Sequence, residues 1–275
     1  MKAIVHPSQS PARVEAQRAD CLEQRSVAAK FHYETPRQAE LWLKLHAQYA
    51  PPSDVTATYE AAAKVLADTW PHSDGALIAI GCGGGEKDLT ILKSLPKNTE
   101  FIPTDVSEPL ALKSAEAIPK AKPLVFDLAT AEDLPMFLDQ HTGLNRIYTF
   151  FGIIPNFPPH EILPQLRTLL KPEDRLLFSA NLAPDGITNI LPQYDNAPTR
   201  EWLSEFPRTH GAGEGEVKIS IERDGPLERI AANFYFTEKC TMNANDKQFD
   251  FIAGDTLRLF VSYRYTLQSL AETLA

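Results

Sequence analysis

The chain is predicted to adopt an α/β fold with a Rossmann-like parallel sheet, an N-terminal helical cap and a C-terminal antiparallel β elaboration. Between about residues 71 and 200, short apolar strands alternate with amphipathic helices, the pattern of parallel strands joined by right-handed crossovers. After Gly211 the pattern changes to period-two runs, which are typical of antiparallel strands. We therefore expect three blocks: a helical substrate or cap segment at 1–70, a cofactor-binding domain at 71–200, and a β-rich substrate-side elaboration at 201–275.

The composition is that of a globular protein in water. The 275 residues are 43% hydrophobic and 23% charged, and a chain of this length buries a substantial core. The formal net charge of −9 argues against a nucleic-acid partner, because phosphate contacts need clustered Lys and Arg. No apolar run approaches the roughly 18 residues that would span a bilayer, and no signal-peptide pattern is visible at the start. We expect a cytoplasmic protein with a small-molecule substrate and no membrane partner.

Cysteine chemistry is not predicted to build a metal site or a disulfide framework. Cys21, Cys82 and Cys240 lie far apart in the chain, with no CxxC pair and no His-Cys ligand spacing. Cys82 lies in a glycine-rich segment, where it is either a reactive thiol or a small residue that fits the turn.

A glycine-rich segment carries the main functional signal. The apolar strand Leu77–Ile80 leads into Gly81-Cys82-Gly83-Gly84-Gly85-Glu86-Lys87, then a helix, then a second strand ending at Asp105. Glycine lets the backbone turn sharply and approach a ligand, and an acid at the next strand end accepts ribose hydroxyls. The segment is not a P-loop and lacks the third glycine of GxGxxG. This combination favours S-adenosylmethionine (SAM) over a dinucleotide, with a purely structural turn as the remaining interpretation.

Two further strand ends carry polar candidates. The strand Lys122–Asp127 ends in an acid that either contacts the adenine of a SAM-type ligand or N-caps the following helix. The strand Arg146–Phe151 opens into a loop that contains Asn156 between a proline and an aromatic residue. An Asn amide donates and accepts hydrogen bonds, which suits a zwitterionic amino acid, but it also suits a turn that supports its own backbone.

The first 70 residues are predicted to be helical after a mobile start. Helices are expected at Val14–Gln24, Gln38–Gln48 and Thr58–Trp70, from apolar residues at helical spacing. Aromatic residues between these helices either pack in the core or cover the cofactor site. The histidines show no catalytic arrangement, and surface or capping roles are predicted for His32, His46 and His160.

With these pieces in order, the chain resembles the histidine-specific SAM-dependent methyltransferases, a family that includes the ergothioneine-pathway enzyme methylating the α-amine of histidine. The similarity extends from Phe31 to Tyr265 and rests on the collinear order of short elements. The matching elements are Phe31-His32-Tyr33-Glu34, Leu45–Pro51, Gly81–Lys87, Pro103-Thr104-Asp105, Phe126-Asp127-Leu128, Ile154-Pro155-Asn156, Tyr194-Asp195-Asn196 and the late strand Gly254–Tyr265.

The resemblance implies a role for each matching residue. The residues implied to bind SAM are Tyr33, Gly81, Gly83, Lys87, Asp105, Asp127 and Leu128. The residues implied to bind the acceptor are Tyr49, Asn156, Tyr194, Phe260 and Ser262. Asn156 and Tyr194 are also the predicted catalytic residues, because they would position the ammonium and carboxylate of an amino acid. No metal is implied.

One departure from the family pattern bears on the substrate. The family's late strand carries a Glu that pairs with the imidazole, and this chain has Phe260 there. An apolar ring offers no hydrogen-bond acceptor to the imidazole N–H. In the alternative interpretation, the alignment is displaced by one or two residues and Phe260 is a core residue. We therefore predict methylation of the α-amine of an amino acid or related amine other than histidine. O-methyl transfer, aminocarboxypropyl transfer and SAM binding without turnover are the alternatives.

Overall fold

The computed structural model describes residues 1–49, 54–142 and 145–274, which group into two compact units. Unit 1 contains Met1–Gln9, His46–Ile153 and His160–Ser179, and unit 2 contains Ser10–Leu45, Ile154–Pro159 and Ala180–Ala275. Each unit is thus assembled from three stretches of chain, so the units cut across the predicted blocks at 1–70, 71–200 and 201–275.

Unit 1 is built on a sheet of six parallel strands within the described chain. The strands are β1 (Ile4–Val5), β2 (Asp74–Ile80), β3 (Asn98–Asp105), β4 (Leu124–Val125), β5 (Arg146–Phe151) and β6 (Arg175–Ser179). Their spatial order is β1-β4-β3-β2-β5-β6, so the chain winds first to one side of β2 and then to the other. The carboxyl ends of β2 and β5 form the switch point where open α/β sheets bind ligands.

The helices connect these strands and flank them in sequence. They are α1 (Pro11–Glu23), α2 (Pro36–Tyr49), α3 (Asp54–Thr69), α4 (Glu86–Lys93), α5 (Glu108–Ala115), α6 (Leu134–His141), α7 (Pro159–Leu169), α8 (Ala197–Thr209) and α9 (Leu267–Leu274). The helices α4, α5, α6 and α7 each follow a parallel strand, which confirms the predicted alternation. No helix in the described ranges is both long and apolar enough to cross a bilayer.

The predicted mobile start is wrong. Ile4 and Val5 pair in parallel with Leu124 and Val125, so the N-terminal segment supplies the edge strand of the sheet. Backbone hydrogen bonds run from Ile4 N to Pro123 O at 3.0 Å and from His6 N to Val125 O at 2.8 Å. A two-residue strand carries too little apolar pattern to be recognised locally.

Unit 2 contains the antiparallel sheet that the period-two pattern predicts. Its strands are β7 (Gly215–Asp224), β8 (Leu227–Phe236) and β11 (Thr256–Arg264), in the order β11-β8-β7. A hairpin of β9 (Cys240–Ala244) and β10 (Lys247–Phe251) was not predicted. Its two-residue turn has positive φ at Asn245 (51°) and Asp246 (59°), a pattern that an Asn-Asp pair between short runs can signal.

Residues that are distant in sequence share the core of unit 2. Phe31 from the segment before α2, Trp202 and Phe206 from α8, and Leu257 and Phe260 from β11 are all buried in one cluster. The family-like element at 31–34 is therefore mainly a packing element: Phe31 is core, and Glu34 pairs with Arg18 at 2.6 Å.

Candidate functional site

The turn between β2 and α4 is a tight backbone cradle in unit 1. Gly81, Gly83 and Gly85 have φ values of 61°, 52° and 82°, which only glycine adopts readily. A Cβ added at Gly81 would lie 1.8 Å from Ile153 Cδ1, so a side chain there requires the neighbour to move. Apart from Cys82, the turn from Gly81 to Gly85 carries no side chain, so a ligand can approach its backbone closely.

Asp105 ends β3 beside this turn and is oriented by backbone donors. Gly83 N donates to Oδ2 at 3.1 Å, and Ser107 N donates to Oδ1 at 2.9 Å. The residue is only 7% exposed, and burial raises the pKa of its carboxyl to about 6 against the opposing effect of these hydrogen bonds. Each oxygen keeps acceptor capacity, so the carboxylate can still receive hydroxyl donors.

A second buried carboxyl lies in the first turn of α4. Asp88 Oδ1 accepts from Thr149 Oγ1 of β5 at 2.5 Å, and burial raises the pKa of Asp88 to about 7. This pair was not predicted. An acid three positions into a helix after a glycine turn, and a Thr within an apolar strand, are its only sequence signals.

Lys87 lies over an aromatic ring in the same unit. Its Nζ is 5.5 Å from the centroid of Tyr59, and burial lowers the pKa of the ammonium. The Tyr59 hydroxyl donates to Ser179 Oγ at 3.1 Å, and Gly152 N donates to the same oxygen at 2.9 Å. Tyr59 and Ser179 were missed as site residues, yet they organise the carboxyl ends of β5 and β6.

Asp127 and Leu128 follow β4 and are both buried. Asp127 Oδ1 accepts from Ala129 N at 3.0 Å, closing a turn, whereas α6 begins later at Leu134 with Asp133 at its N-cap. The predicted alternative of a helix cap at Asp127 is therefore wrong, because the carboxylate closes a turn ahead of the helix.

The N-terminal segment supports this strand end. Asp127 N donates to Ser8 Oγ at 3.1 Å, and Ser8 N donates to His6 Nδ1 at 3.0 Å. With Nδ1 accepting, the ring proton is assigned to Nε2, which donates to Asp133 Oδ1 at 3.1 Å.

A bulge in β11 determines which residues form the second group of candidate site residues, in unit 2. Arg258 pairs with Asn233 and Phe260 with Ala232, so Leu259 is an extra residue in the strand. From Phe260 onward, Phe260, Ser262 and Arg264 share one face, opposite alternate residues of β8. We call Tyr194, Phe260, Ser262 and Arg264 the β11 group.

The β11 group is held together by ring stacking and a hydrogen-bond chain. The rings of Tyr194 and Phe260 stack with centroids 6.1 Å apart and planes 25° apart, and Trp202 meets Phe260 edge-on at 5.9 Å. The Tyr194 hydroxyl lies 3.4 Å from Ser262 Oγ and accepts a hydrogen bond from Arg264 Nη2. Phe260 is thus both a core residue and the neighbour of the predicted acceptor residues.

The rest of the Tyr194-Asp195-Asn196 element has a structural role. Asn196 N-caps α8, its Oδ1 accepting from Thr199 N at 3.0 Å, and Asp195 forms an ion pair with Arg200. These contacts anchor the start of α8 and so position Tyr194.

Asn156 lies in a short 3-10 turn of unit 2 and is half-buried. Its side chain forms no hydrogen bond with another described residue. No contact therefore supports the alternative that Asn156 stabilises its own backbone turn. The amide remains available to a ligand.

The predicted residue Tyr33 contacts Trp202, which also contacts Phe260 of the β11 group, and the predicted residue Tyr49 lies at the end of α2. The Tyr33 ring packs against Trp42 at 5.6 Å and Trp202 at 5.3 Å in unit 2. Tyr49 is the last residue of α2 and is exposed, and residues 50 and 51 of its motif lie outside the described residues.

The predicted surface role of His32 is wrong. The ring is fully buried, Nε2 donates to Leu259 O at 2.6 Å, and burial lowers its pKa to about 4. His32 therefore supports the bulged residue of β11 as a neutral ring.

Other candidate chemistry is weaker. Burial raises the pKa of Cys82 well above its ordinary value, which disfavours the thiolate and supports the small-residue interpretation. Within the described ranges, no group of three or more His, Cys, Asp or Glu side chains is arranged to hold a metal ion. A surface groove beside Arg25 and β10 contains none of the predicted site residues.

The unit 1 geometry fits a nucleoside-bearing cofactor. The turn at Gly81 has no room for a side chain, because Ile153 Cδ1 lies where a Cβ would be, and Asp105 presents a buried carboxylate aligned by two backbone donors. Gly81 follows β2 at the switch point of the sheet, where such ligands bind, and Asp105 ends the neighbouring strand β3.

Comparison with known proteins gives the class. The sequence model of the histidine-specific, SAM-dependent methyltransferases matches residues 16–206. A search of curated proteins found no match. Among solved structures, the plantazolicin methyltransferase BamL, in complex with a triazolic desmethylPZN analog and SAH, is 12% identical, with TM-score 0.47 over 77% of this chain and 81% of that one. The magnesium protoporphyrin IX methyltransferase ChlM from Synechocystis PCC 6803, with bound SAH, is 13% identical, with TM-score 0.41 over 85% and 97%.

The protein is a SAM-dependent methyltransferase with a Rossmann-like sheet and additional antiparallel sheets near its C-terminus. The chain belongs to the family described as histidine-specific, SAM-dependent methyltransferases. The match ends at residue 206, so β7 to β11, including Phe260, Ser262 and Arg264, follow the matched region.

Proposed function

We propose that this protein N-methylates the α-amine of an amino acid, or of a closely related small amine, other than histidine. The observation that carries the proposal is the β11 group. Phe260 stands where the family pattern has an imidazole-binding Glu, stacked on Tyr194 and two residues before Ser262.

On the cofactor side, the residues in unit 1 have distinct tasks. SAM, when bound, supplies an electrophilic methyl group. Asp105 accepts the ribose hydroxyls, and Gly81 and Gly83 permit close approach of the backbone. Lys87 pairs with the carboxylate of the cofactor. Asp127 and Leu128 contact the adenine, and the family resemblance implies Tyr33 as a further contact.

On the acceptor side, the residues orient an amine rather than form a covalent intermediate. Asn156 and Tyr194 position the amino and carboxylate groups, and Ser262 and Phe260 line the side-chain pocket. Tyr194 accepts from Arg264, so its own hydroxyl proton can be donated to Ser262 or to a ligand. The amine must be neutral to attack, and alignment of nucleophile and methyl group is the main contribution of these residues. Tyr49 is retained as a further acceptor contact.

Histidine is disfavoured by an unpaired donor. Phe260 is 7% exposed and its ring has no hydrogen-bond acceptor for an imidazole N–H. Leaving a buried donor unpaired costs roughly 1–3 kcal/mol, which lowers affinity by about 5- to 150-fold. An aromatic or aliphatic side chain avoids this penalty and packs on the ring.

The test is calorimetry followed by product analysis. We expect S-adenosylhomocysteine (SAH) to bind, one or a few amino acids to bind in its presence, and histidine to bind at least about fivefold more weakly. Mass spectrometry of the product with SAM then distinguishes N-methyl, O-methyl and aminocarboxypropyl products. SAH binding with no amino-acid response, or a preference for histidine, would contradict the proposed acceptor.

A further inference from the structure

Arg264 is a buried guanidinium without a carboxylate partner among the described residues. The residue is 6% exposed at the end of β11. Nη1 donates to the Tyr263 carbonyl at 3.1 Å, and Nη2 donates to the Tyr194 hydroxyl, whose ring centroid lies 5.0 Å from Arg264 Cζ. Two of five N–H donors are thus used, on neutral acceptors. A buried cation without a counter-ion is strongly disfavoured, so we expect a ligand to supply the negative charge that the protein does not.

The other face of the same strand provides an internal comparison. Arg258 forms two hydrogen bonds with Glu222, each at 2.9 Å, and Arg229 of β8 binds Glu222 and Asp224 at 3.2 and 2.7 Å. The arginines on that face are therefore neutralised by protein carboxylates. Arg264, on the opposite face, is not.

The nearest candidate carboxylate in the sheet is Glu228, which is directly opposite Arg264 in register. Its Oε1 lies 3.7 Å from Nε of Arg223, on the far side of β8, and it forms no recorded ion pair with Arg264. The groups that contact the Arg264 guanidinium are instead the predicted acceptor residue Tyr194 and a backbone carbonyl.

We propose that Arg264 binds the carboxylate of the acceptor and so makes this methyltransferase selective for carboxylate-bearing substrates. Arg264 shares its face of β11 with Ser262 and Phe260, and it is hydrogen-bonded to Tyr194, so a ligand held by these residues meets a cation with unused donors. A planar guanidinium matches a carboxylate bidentately, whereas a carboxamide cannot supply two anionic oxygens. The inference rests on the proposed function, because it assigns a specificity residue to the same acceptor.

The experiment compares acids with their carboxamides in the full-length protein. Rates of methyl transfer from SAM are measured for the twenty L-amino acids and their carboxamides, with wild type, Arg264→Gln, Arg264→Lys and Glu228→Gln. We expect kcat/KM to favour the acid by at least about tenfold in wild type and by less than about threefold in Arg264→Gln. Glu228→Gln should retain the wild-type preference, and SAH affinity should stay within about twofold in every variant.

Equal turnover of acids and carboxamides by wild type, or an unchanged preference in Arg264→Gln, would overturn the inference. If Arg264→Gln does not fold, Arg264→Lys decides: the acid should lose at least about fivefold in kcat/KM and the carboxamide less than about twofold, since the lysine keeps the charge but not the fork. Equal losses on both would mean a merely structural role.

Benzoate and benzamide provide a readout that does not depend on turnover. If no amino acid reacts although SAH binds, the proposed acceptor fails, and benzoate binding then decides on Arg264. Binding of benzoate by wild type but not by Arg264→Gln supports the inference; binding by both, or by neither, overturns it. If SAH does not bind wild type, the proposed function fails, and the same benzoate comparison without SAH still decides on Arg264.

Discussion

The buried ionisable side chains of this protein form two kinds of contact. Arg18 and Arg146 are paired with protein carboxylates, as is expected of charges removed from water. Asp105 instead receives only backbone donors, and burial raises its pKa to about 6. Among the described residues, Arg264 likewise has only neutral partners. Buried groups that lack a protein counter-ion are candidates for ligand contacts.

The first prediction concerns Asp105. Asp105→Asn should weaken SAH binding by about ten- to a hundredfold, because hydrogen bonds to a charged acceptor contribute roughly 1.5–3 kcal/mol. The amide also places a donor against the N–H of Gly83 or Ser107. Calorimetry with SAH measures the change. Glu100→Gln, an exposed acid on the same strand, is the control and should bind like wild type. A loss below about threefold in Asp105→Asn would contradict the ribose role.

The second prediction is a pH dependence at Asp88. Burial raises its folded-state pKa from 3.8 to about 7, so its contribution to stability is full below about pH 4 and is lost as pH rises through 7. Asp88→Asn, which keeps an acceptor for Thr149, should therefore gain stability relative to wild type between pH 5 and pH 8. Thermal unfolding at both pH values measures this difference. Asp105 is present in both wild type and Asp88→Asn, so its own titration changes the stability of both equally and does not affect the difference. A difference that does not change with pH would refute the assignment.

At the scale of elements, turns and bulges decide where functional side chains lie. The β2–α4 turn requires three left-handed glycines, and the bulge at Leu259 determines which residues of β11 face Tyr194. His32 stabilises the bulge by donating to the Leu259 carbonyl at 2.6 Å. The segment that contains His32 thus supports the β11 group through the backbone of β11.

The third prediction compares two glycines with the same strain. Gly81 (φ 61°) and Gly225 (φ 57°, in the β7–β8 turn) should each lose roughly 1–2 kcal/mol of stability on substitution by Ala, because a Cβ strains this conformation. A Cβ at Gly225 meets nothing within 4 Å, whereas one at Gly81 meets Ile153. Gly81→Ala should therefore lose more stability than Gly225→Ala, because Ile153 must also move. Only Gly81→Ala should weaken SAH binding, by at least about tenfold, because only Gly81 lies in the proposed cofactor turn. Thermal unfolding and calorimetry separate the two effects, and similar SAH affinities would show that the turn tolerates a side chain.

At the scale of the whole molecule, the chain has two compact units with separate buried clusters. Unit 1 holds the parallel sheet and the glycine turn, and unit 2 holds the β11 group. Neither unit is a continuous stretch of chain, so early and late residues must both be present for each core to form.

The fourth prediction concerns ligand-linked stability. SAH at about 100 times its dissociation constant should stabilise the protein by about 2.7 kcal/mol, which corresponds to roughly 5–10 °C in melting temperature for a domain of this size. NAD at the same concentration should give no shift, since the turn lacks the GxGxxG pattern. If the units melt separately, the shift belongs to the transition of unit 1, which contains Asp105. Differential scanning calorimetry measures both ligands; a shift with NAD alone would contradict the cofactor assignment.

Sequence alone determined the parallel strands β2, β3 and β5, the glycine turn and the acid at 105. These features are local: a short apolar run, a glycine cluster and a strand-end acid lie within about 30 residues of one another, and their physical demands can be recognised without the rest of the chain. The order of short motifs extended this to the family and its cofactor.

Other features were decided only by the tertiary structure. The edge strand at Ile4 exists only because β4 pairs with it, and the face of β11 that carries Phe260 depends on one extra residue, Leu259, which strict period-two alternation cannot reveal. The lack of a carboxylate partner for Arg264 among the described residues could not be predicted either. An arginine in an alternating strand gives the same sequence pattern whether its partner is a protein carboxylate or a ligand. Partners distant in sequence, rather than the local pattern, determine pairing, register and charge compensation.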